Sequence, residues 1–216
     1  MYQYQHQILD DGQIKILGLP YESKLVEIPR MDRFRQLYSY KLSEIDINRV
    51  REYLNIARNA EDKIIKDGLF KSAVVTYMKC FAPSKGRSII DAKGIYKNIP
   101  GAMDCHKAFK EMRNKYFAHD EMDYKEAQIG IILNVEEKRK AGIVSIDKCS
   151  EFVYADNIEI LDKLCSIALE QVKALVEREL KKADKFYDDI DYEIMNGYPE
   201  MQVNTEAEEF KIENPK

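Results

Sequence analysis

Residues 156–182 read DNIEILDKLCSIALEQVKALVERELKK, and this stretch decides the fold class of the 216-residue chain. Its apolar residues recur at the helical spacing of three and four, at Leu161, Leu164, Ala168, Val172 and Leu175. That period places them on one face of an amphipathic α-helix. The stretch therefore predicts one long helix whose apolar face must be buried against other elements.

Three more helices are predicted before it, and two of them lie in the first half of the chain. One is expected after Ser43, a candidate N-cap, and is expected to stop at Gly68. Its apolar face consists of Ile47, Val50, Leu54, Ala57 and Ile64. The next is expected over residues 69–81, and its inward residues are Ala73, Val74, Tyr77 and Cys80.

The remaining helix follows a connection rich in Gly and Pro. We expect it to start near Asp104, with an apolar stripe formed by Phe109, Met112 and Tyr116. Four amphipathic helices have to bury their stripes, and packing them on one another is the economical solution. The predicted fold class is therefore mainly α, with a four-helix bundle.

Two β-hairpins are predicted besides the helices. In the first, residues 2–8 alternate Tyr, His or Ile with Gln, Asp11-Gly12 supplies a turn, and Ile14 and Ile16 continue on the return strand. Residues 25–28 are a candidate third strand. In the second hairpin, residues 128–134 pair with 142–147, just before the last long helix.

Composition divides the chain into three expected parts: a β appendage over 1–40, a helical bundle over 41–184 and an acidic, partly disordered tail over 185–216. The net charge is −4, but Lys and Arg recur through the middle while Asp and Glu crowd the tail. A basic middle is compatible with a nucleic-acid ligand. The tail is either a solubilising extension or an RNA-like cover for the basic part.

The four cysteines, Cys80, Cys105, Cys149 and Cys165, form no C-x-x-C pair, so we expect reduced thiols and neither a zinc site nor a disulfide framework. Cys105 and His106 point apart on a helix and do not form a metal pair. No metal and no cofactor is expected. The sequence shows neither a signal peptide nor a run of membrane-span length, so the expected location is cytoplasmic, with no membrane partner.

The octapeptide RNKYFAHD, Arg113 to Asp120, carries the functional signal of the chain. An arginine binds phosphate oxygens through two parallel hydrogen bonds and stays charged. A histidine titrates near neutrality and serves as acid or base. On a straight helix Arg113 and His119 would lie about 120° apart, at roughly 100° per residue.

Residues Arg113 to His119 resemble the R-x4-6-H signature of HEPN domains, including the polar residue after the arginine, Asn114. The sequence RNKYFAH is particularly similar to the motifs of HEPN proteins from abortive-infection, toxin–antitoxin and related antiviral defence systems. The resemblance covers roughly residues 41 to 184. It implies an up-and-down four-helix bundle, a homodimer and, in toxin systems, an antitoxin or other regulatory protein as partner.

The resemblance also implies metal-independent endoribonuclease activity with RNA as substrate. His119 would be the acid or base in the attack of the ribose 2′-OH on the adjacent phosphate, Arg113 would stabilise the phosphate, and Asn114 would orient either group. The flanking residues expected to track the RNA backbone are Lys107, Lys110, Lys115, Lys138, Arg139 and Lys140.

Two alternatives stand beside this interpretation. In the first, Arg113 only pairs with Asp120 or with an acid on the last helix, and the domain is purely structural. In the second, the chain is a non-catalytic HEPN module, which dimerises and binds RNA, a nucleotide or a protein.

The chain departs from one group of HEPN toxins. Toxins silenced by a nucleotidyltransferase carry a tyrosine two residues after the histidine, whereas this chain has Glu121 there. Silencing of that kind is not expected.

Overall fold

A computed structural model describes most of the chain, over residues 5–11, 13–19, 21, 23–29, 32–83, 87–118, 125–149 and 154–202. The described residues are mainly helical, with six α-helices and two antiparallel hairpins. The chain forms two compact units, Met1–Asp32 with Lys182–Lys216, and Arg33–Lys181. The units divide the chain after residues 32 and 181, whereas the sequence predicts divisions after residues 40 and 184.

Five helices and one hairpin start in the larger unit. The helices are α1 (Arg35–Asn59, after a 3-10 turn at Asp32–Phe34), α2 (Lys63–Phe81), α3 (Ala92–Tyr96), α4 (Ala102–Met112) and α5 (Tyr154–Tyr187). A π-helical segment, Arg113–Ala118, continues α4. The hairpin strands are β3 (Lys125–Asn134) and β4 (Arg139–Cys149), paired antiparallel ahead of α5 as predicted.

The start of α1 corrects the prediction of an N-cap at Ser43. The helix begins eight residues earlier, at Arg35, so Ser43 lies inside it. Its buried hydroxyl donates to the carbonyl of Ser39 at 2.9 Å, and the hydroxyl of Ser39 donates to the carbonyl of Arg35 at 2.7 Å. Serine inside a helix commonly satisfies its hydroxyl through the carbonyl four residues back.

The boundary between the first two helices also differs from the prediction. Asp62 caps α2, its carboxylate accepting from the backbone N–H groups of Ile64 at 2.7 Å and Ile65 at 3.2 Å. Gly68 therefore lies within α2, where a glycine is tolerated at a modest cost. Ile64, assigned to the buried face of the first helix, is 83% exposed in the first turn of α2.

Helix α4 starts near Asp104, as predicted, but its N-cap is Gly101 and not Asp104. Gly101 has φ +73°, a left-handed conformation that favours glycine. Asp104 lies in the first turn of α4, where its charge interacts favourably with the positive end of the helix dipole.

The core of the larger unit consists of apolar faces from α1, α2, α4 and α5. The predicted inward residues of α2 are all buried, as are Leu161, Leu164, Ala168 and Val172 of α5; Leu175 is half-buried. Arg51 and Arg58 of α1 form ion pairs with Asp162 of α5, at 3.0 and 3.4 Å. The predicted long helix is confirmed as α5, and the mainly helical fold class is confirmed with it.

Residues 87–90, which precede α3, contact both α1 and the end of α2. The guanidinium of Arg87 pairs with Asp46, and the backbone N–H of Ser88 donates to the hydroxyl of Ser39 at 3.0 Å. The N–H of Ile90 donates to the carbonyl of Cys80 at 3.2 Å. These contacts place the segment beside the end of α2, where it contributes one wall of a cleft described below.

The smaller unit contains the first hairpin, β1 (Gln5–Ile8) with β2 (Ile14–Leu17), which confirms the predicted pairing. The candidate third strand is reduced to an isolated bridge between Val26 and Glu200. Backbone hydrogen bonds join residues 25–27 to 199–201, and a short helix, α6 (Tyr192–Asn196), begins at the cap Asp191. None of the described helices is long and apolar enough to cross a bilayer.

Candidate functional site

The predicted RNA site begins where α4 changes into the π-helical segment. A π-helix closes its hydrogen bonds over five residues instead of four, and such turns are frequent at functional sites. The segment comprises Arg113–Ala118. The separation of about 120° between Arg113 and His119, calculated for a straight α-helix, therefore does not apply here.

Arg113 is half-buried, and Asn114 is exposed beside it. The guanidinium Nη1 of Arg113 donates to Oδ1 of Asn114 at 3.0 Å. Among the described residues Arg113 has no carboxylate partner, while the acids Glu159 and Asp162 of α5 pair with α1. Arg113 is therefore not paired with these two acids of α5, and its other candidate partner, Asp120, lies outside the described residues.

Three lysines on the same helical stretch are exposed. Lys107 is 3.3 Å from the carboxylate of Asp104, and both side chains are exposed. Lys110 lies between His106 and Arg113 along α4, and Lys115 lies in the π-helical segment.

The basic residues at the tip of the second hairpin are exposed too. Lys138 occupies the turn with φ +51°, and Lys140 follows on β4. The guanidinium of Arg139 donates to the carboxylate of Glu137 at 2.5 Å. Within the described residues the ion pairing of this tip is local, and no hydrogen bond or ion pair joins it to Arg113.

His119 and Asp120 lie outside the described residues, as do the side chains of Tyr116, Phe117 and Ala118. Of the predicted site residues, the structure shows Arg113 and Asn114 in contact and places Lys107, Lys110 and Lys115 on the same helical stretch, with no side-chain hydrogen bond to Arg113 among the described residues. It does not describe the geometry between Arg113 and His119, so the role of His119 stays a prediction.

A second histidine forms a polar cluster inside the larger unit. Nδ1 of His106 is 2.9 Å from the hydroxyl of Tyr77, which is 2.9 Å from the hydroxyl of Tyr96. The hydroxyl of Tyr96 donates to the backbone carbonyl of Leu164 at 3.1 Å. One series of hydrogen bonds thus connects α2, α3, α4 and α5. The ring of Phe81 packs edge-on against the ring of His106, with the two ring centres 4.8 Å apart.

The direction of this chain assigns the tautomer of His106. Because a carbonyl only accepts, the proton of Tyr96 goes to Leu164, and Tyr77 donates to Tyr96. His106 must then donate from Nδ1, which leaves Nε2 as an acceptor. Burial, with Lys110 as a further cause, lowers the pKa of His106 from 6.5 to about 4, so the ring is neutral at pH 7.

Burial also raises the pKa of Tyr77 and the pKa of Tyr96, so both hydroxyls stay protonated. The sequence interpretation considered His106 only as a metal ligand beside Cys105 and missed this cluster. A signal was present, since Tyr77 lies on the inward face of α2 and a buried hydroxyl requires a partner.

Among the described residues no group of three or more His, Cys, Asp or Glu side chains converges in a way that would hold a metal ion. Of the described cysteines, Cys80, Cys105 and Cys165 are free thiols. A scan of the chain against protein-family models finds no match, and neither a search of curated proteins nor a search of solved structures returns one.

Proposed function

We propose that this protein is a metal-independent endoribonuclease of the HEPN type, acting in a defence or toxin–antitoxin system. One observation supports it most: the half-buried guanidinium of Arg113 has no carboxylate partner among the described residues and stands beside Asn114. An arginine that is hydrogen-bonded to an amide and paired with no described carboxylate is suited to bind a phosphate.

Charge on the same helix supports the same ligand. Residues 102–118 contain four Lys or Arg and two Asp or Glu, although the whole chain is acidic. Lys107, Lys110 and Lys115 would contact phosphates without reading sequence. The resemblance of RNKYFAH to HEPN motifs supplies the type of reaction.

In the proposed reaction the ribose 2′-oxygen attacks the adjacent phosphorus, and the bond to the 5′-oxygen breaks. His119 removes the 2′ proton or protonates the leaving 5′-oxygen. Arg113 stabilises the negative charge that grows on the non-bridging oxygens. The products are a 2′,3′-cyclic phosphate and a free 5′-OH, and no redox partner or metal is required.

The proposal includes a homodimer, in which two copies of the motif share one cleft, and an antitoxin or other regulatory protein as a possible partner of the complex. Light scattering of the purified chain gives the oligomeric state. A monomer that cleaves RNA would remove the dimer from the proposal and leave the chemistry.

The chemistry is tested by incubating the purified chain with single-stranded RNA in EDTA and determining the ends of the products. We expect 3′ ends that resist ligation until the cyclic phosphate is removed, and 5′ ends that accept phosphate from a kinase. Products with 5′-phosphates, or cleavage that requires added metal, would contradict the mechanism. RNA retention without cleavage would favour the non-catalytic binding module.

A further inference from the structure

A cleft of about 380 Å³ opens beside the Tyr77–His106 cluster. The end of α2, the segment before α3, and α4 each contribute one wall. Its apolar lining includes Met78, Phe81, Ile90 and Met103, and its polar lining includes His106 and Lys110. The volume is in the range of sites for small organic ligands, and the lining combines apolar side chains with charged and polar ones.

The deepest polar group in this lining is His106, which is 4% exposed. Its Nδ1 is occupied by Tyr77, and Nε2 has no hydrogen-bond partner among the described residues. A neutral imidazole nitrogen without a proton accepts one hydrogen bond and donates none. A ligand that fills the cleft would therefore have to present an N–H or O–H group to this atom.

The charged groups of the cleft favour an anion. The charged side chains of the lining are two lysines, Lys93 and Lys110, and one carboxylate, Asp91. That carboxylate also caps α3, since Oδ1 accepts from the backbone N–H of Lys93 at 3.0 Å. Two ammonium groups against one carboxylate that caps a helix leave an excess of positive charge.

The cleft and the Arg113 site lie on one face of α4. His106, Lys110 and Arg113 are spaced by four and three residues, which is the repeat of a helical face. At about 1.5 Å per residue, His106 and Arg113 are roughly 10 Å apart along the axis, with Lys110 between them. One or two nucleotides bridge such a distance.

We propose that this cleft is a nucleotide subsite. A nucleobase enters between the apolar walls, donates an N–H hydrogen bond to Nε2 of His106, and places its phosphate against Lys110. In RNA the neighbouring phosphate then reaches Arg113. The RNA part of this assignment rests on the proposed ribonuclease function, whereas nucleotide binding in the cleft does not.

Calorimetric titration of the full chain with AMP and with adenosine tests the subsite. His106→Asn keeps a donor toward Tyr77 and removes the acceptor Nε2, so AMP should bind about 5- to 10-fold more weakly. Lys110→Gln, on the exposed surface, should reduce the affinity for AMP to that for adenosine. Arg49→Gln on α1, which removes an exposed charge paired with Glu52, is the matched control and should bind like the wild type.

AMP affinity that is unchanged in both His106→Asn and Lys110→Gln would overturn the subsite, as would the absence of binding at millimolar AMP. If His106→Asn does not fold, Lys110→Gln decides. Displacement of AMP by a short single-stranded oligoadenylate supports the RNA assignment, and binding of AMP that the oligomer does not displace overturns it. Arg113→Gln should keep AMP binding while losing cleavage, so that the failure of the ribonuclease proposal is distinguishable from failure of the subsite.

Discussion

The hydroxyl of Tyr77 on α2 lies 2.9 Å from Nδ1 of His106 on α4, and this contact joins the core of the larger unit to its cleft. The same hydroxyl donates to Tyr96, which in turn donates to a carbonyl of α5. The hydroxyls of Tyr77 and Tyr96 each donate one hydrogen bond and accept another. The position of the His106 ring is therefore determined by buried groups, independently of any ligand.

Tyr77→Phe should destabilise the protein without changing its fold. The substitution removes the acceptor for His106 and the donor for Tyr96, and leaves buried polar groups unpaired. Urea denaturation should show a loss of about 1–3 kcal/mol in the free energy of unfolding. Tyr192→Phe, at a residue 69% exposed on α6, is the matched control and should change it by less than about 0.5 kcal/mol. Equal stability of the two variants would contradict the network.

The free energy of unfolding should decrease as the pH is lowered from about 6.5 to 4, because His106 is buried as a neutral ring. Its pKa is lowered to about 4 in the folded state, so in this interval the unfolded chain binds more protons. The contribution is complete above pH 6.5 and is lost as the pH falls through 4. Its size is at most about 3 kcal/mol, from 1.4 kcal/mol per pKa unit.

Carboxylates also titrate in this interval, so the measurement is the difference between wild type and His106→Asn. We expect the pH dependence of the unfolding free energy to be shallower in the variant. Parallel profiles of the two proteins would show that His106 does not titrate as described.

Asp62→Ala should destabilise α2 by about 1 kcal/mol, because it removes the oxygen that accepts from Ile64 and Ile65. Glu61→Ala, at the exposed neighbouring position, is the control and should have little effect. Thermal denaturation followed by circular dichroism measures both. A continuous helix through residues 60–62 would instead make Asp62→Ala neutral or stabilising.

The thiols of the core should react slowly with iodoacetamide. Burial raises the pKa of Cys80 to about 12 and also raises the pKa of Cys165, whereas Cys105 is half-buried on α4. Only thiolates react, so peptide mapping at pH 8 should find Cys105 labelled before the other two. Labelling in urea, where all thiols react, is the control. Fast labelling of Cys80 in the native protein would contradict its burial.

The sequence predicts elements whose apolar period is long and uninterrupted. The period of α5 continues over many turns, and its buried face is identified residue by residue. The boundary between α1 and α2 contains neither Gly nor Pro, so the sequence wrongly predicts the end of the first helix at Gly68, the nearest glycine. Asp62 can be identified as a cap only once it is known that the last buried residue of α1 is Ala57, so that a new helix must begin after it.

The candidate site is predictable in part for the same physical reason. Their proximity in the sequence places Arg113, Asn114 and the three lysines on one continuous helical stretch, formed by α4 and the π-helical segment. The cleft requires Tyr96 and Ile90 to return to α2 and α4 from a connection that shows no clear period in the sequence. A π-helical turn after Met112 is likewise not encoded in any local pattern that distinguishes it from an α-helix.

The central claim is that Arg113 and His119 cleave RNA without metal. Its most direct test is the single-turnover rate of RNA cleavage in EDTA for wild type, Arg113→Gln, His119→Ala and the control Arg49→Gln. The account predicts cleavage by wild type and Arg49→Gln at equal rates, and losses of about 100- to 1,000-fold for Arg113→Gln and His119→Ala. Cleavage by Arg113→Gln or His119→Ala at the wild-type rate would contradict it.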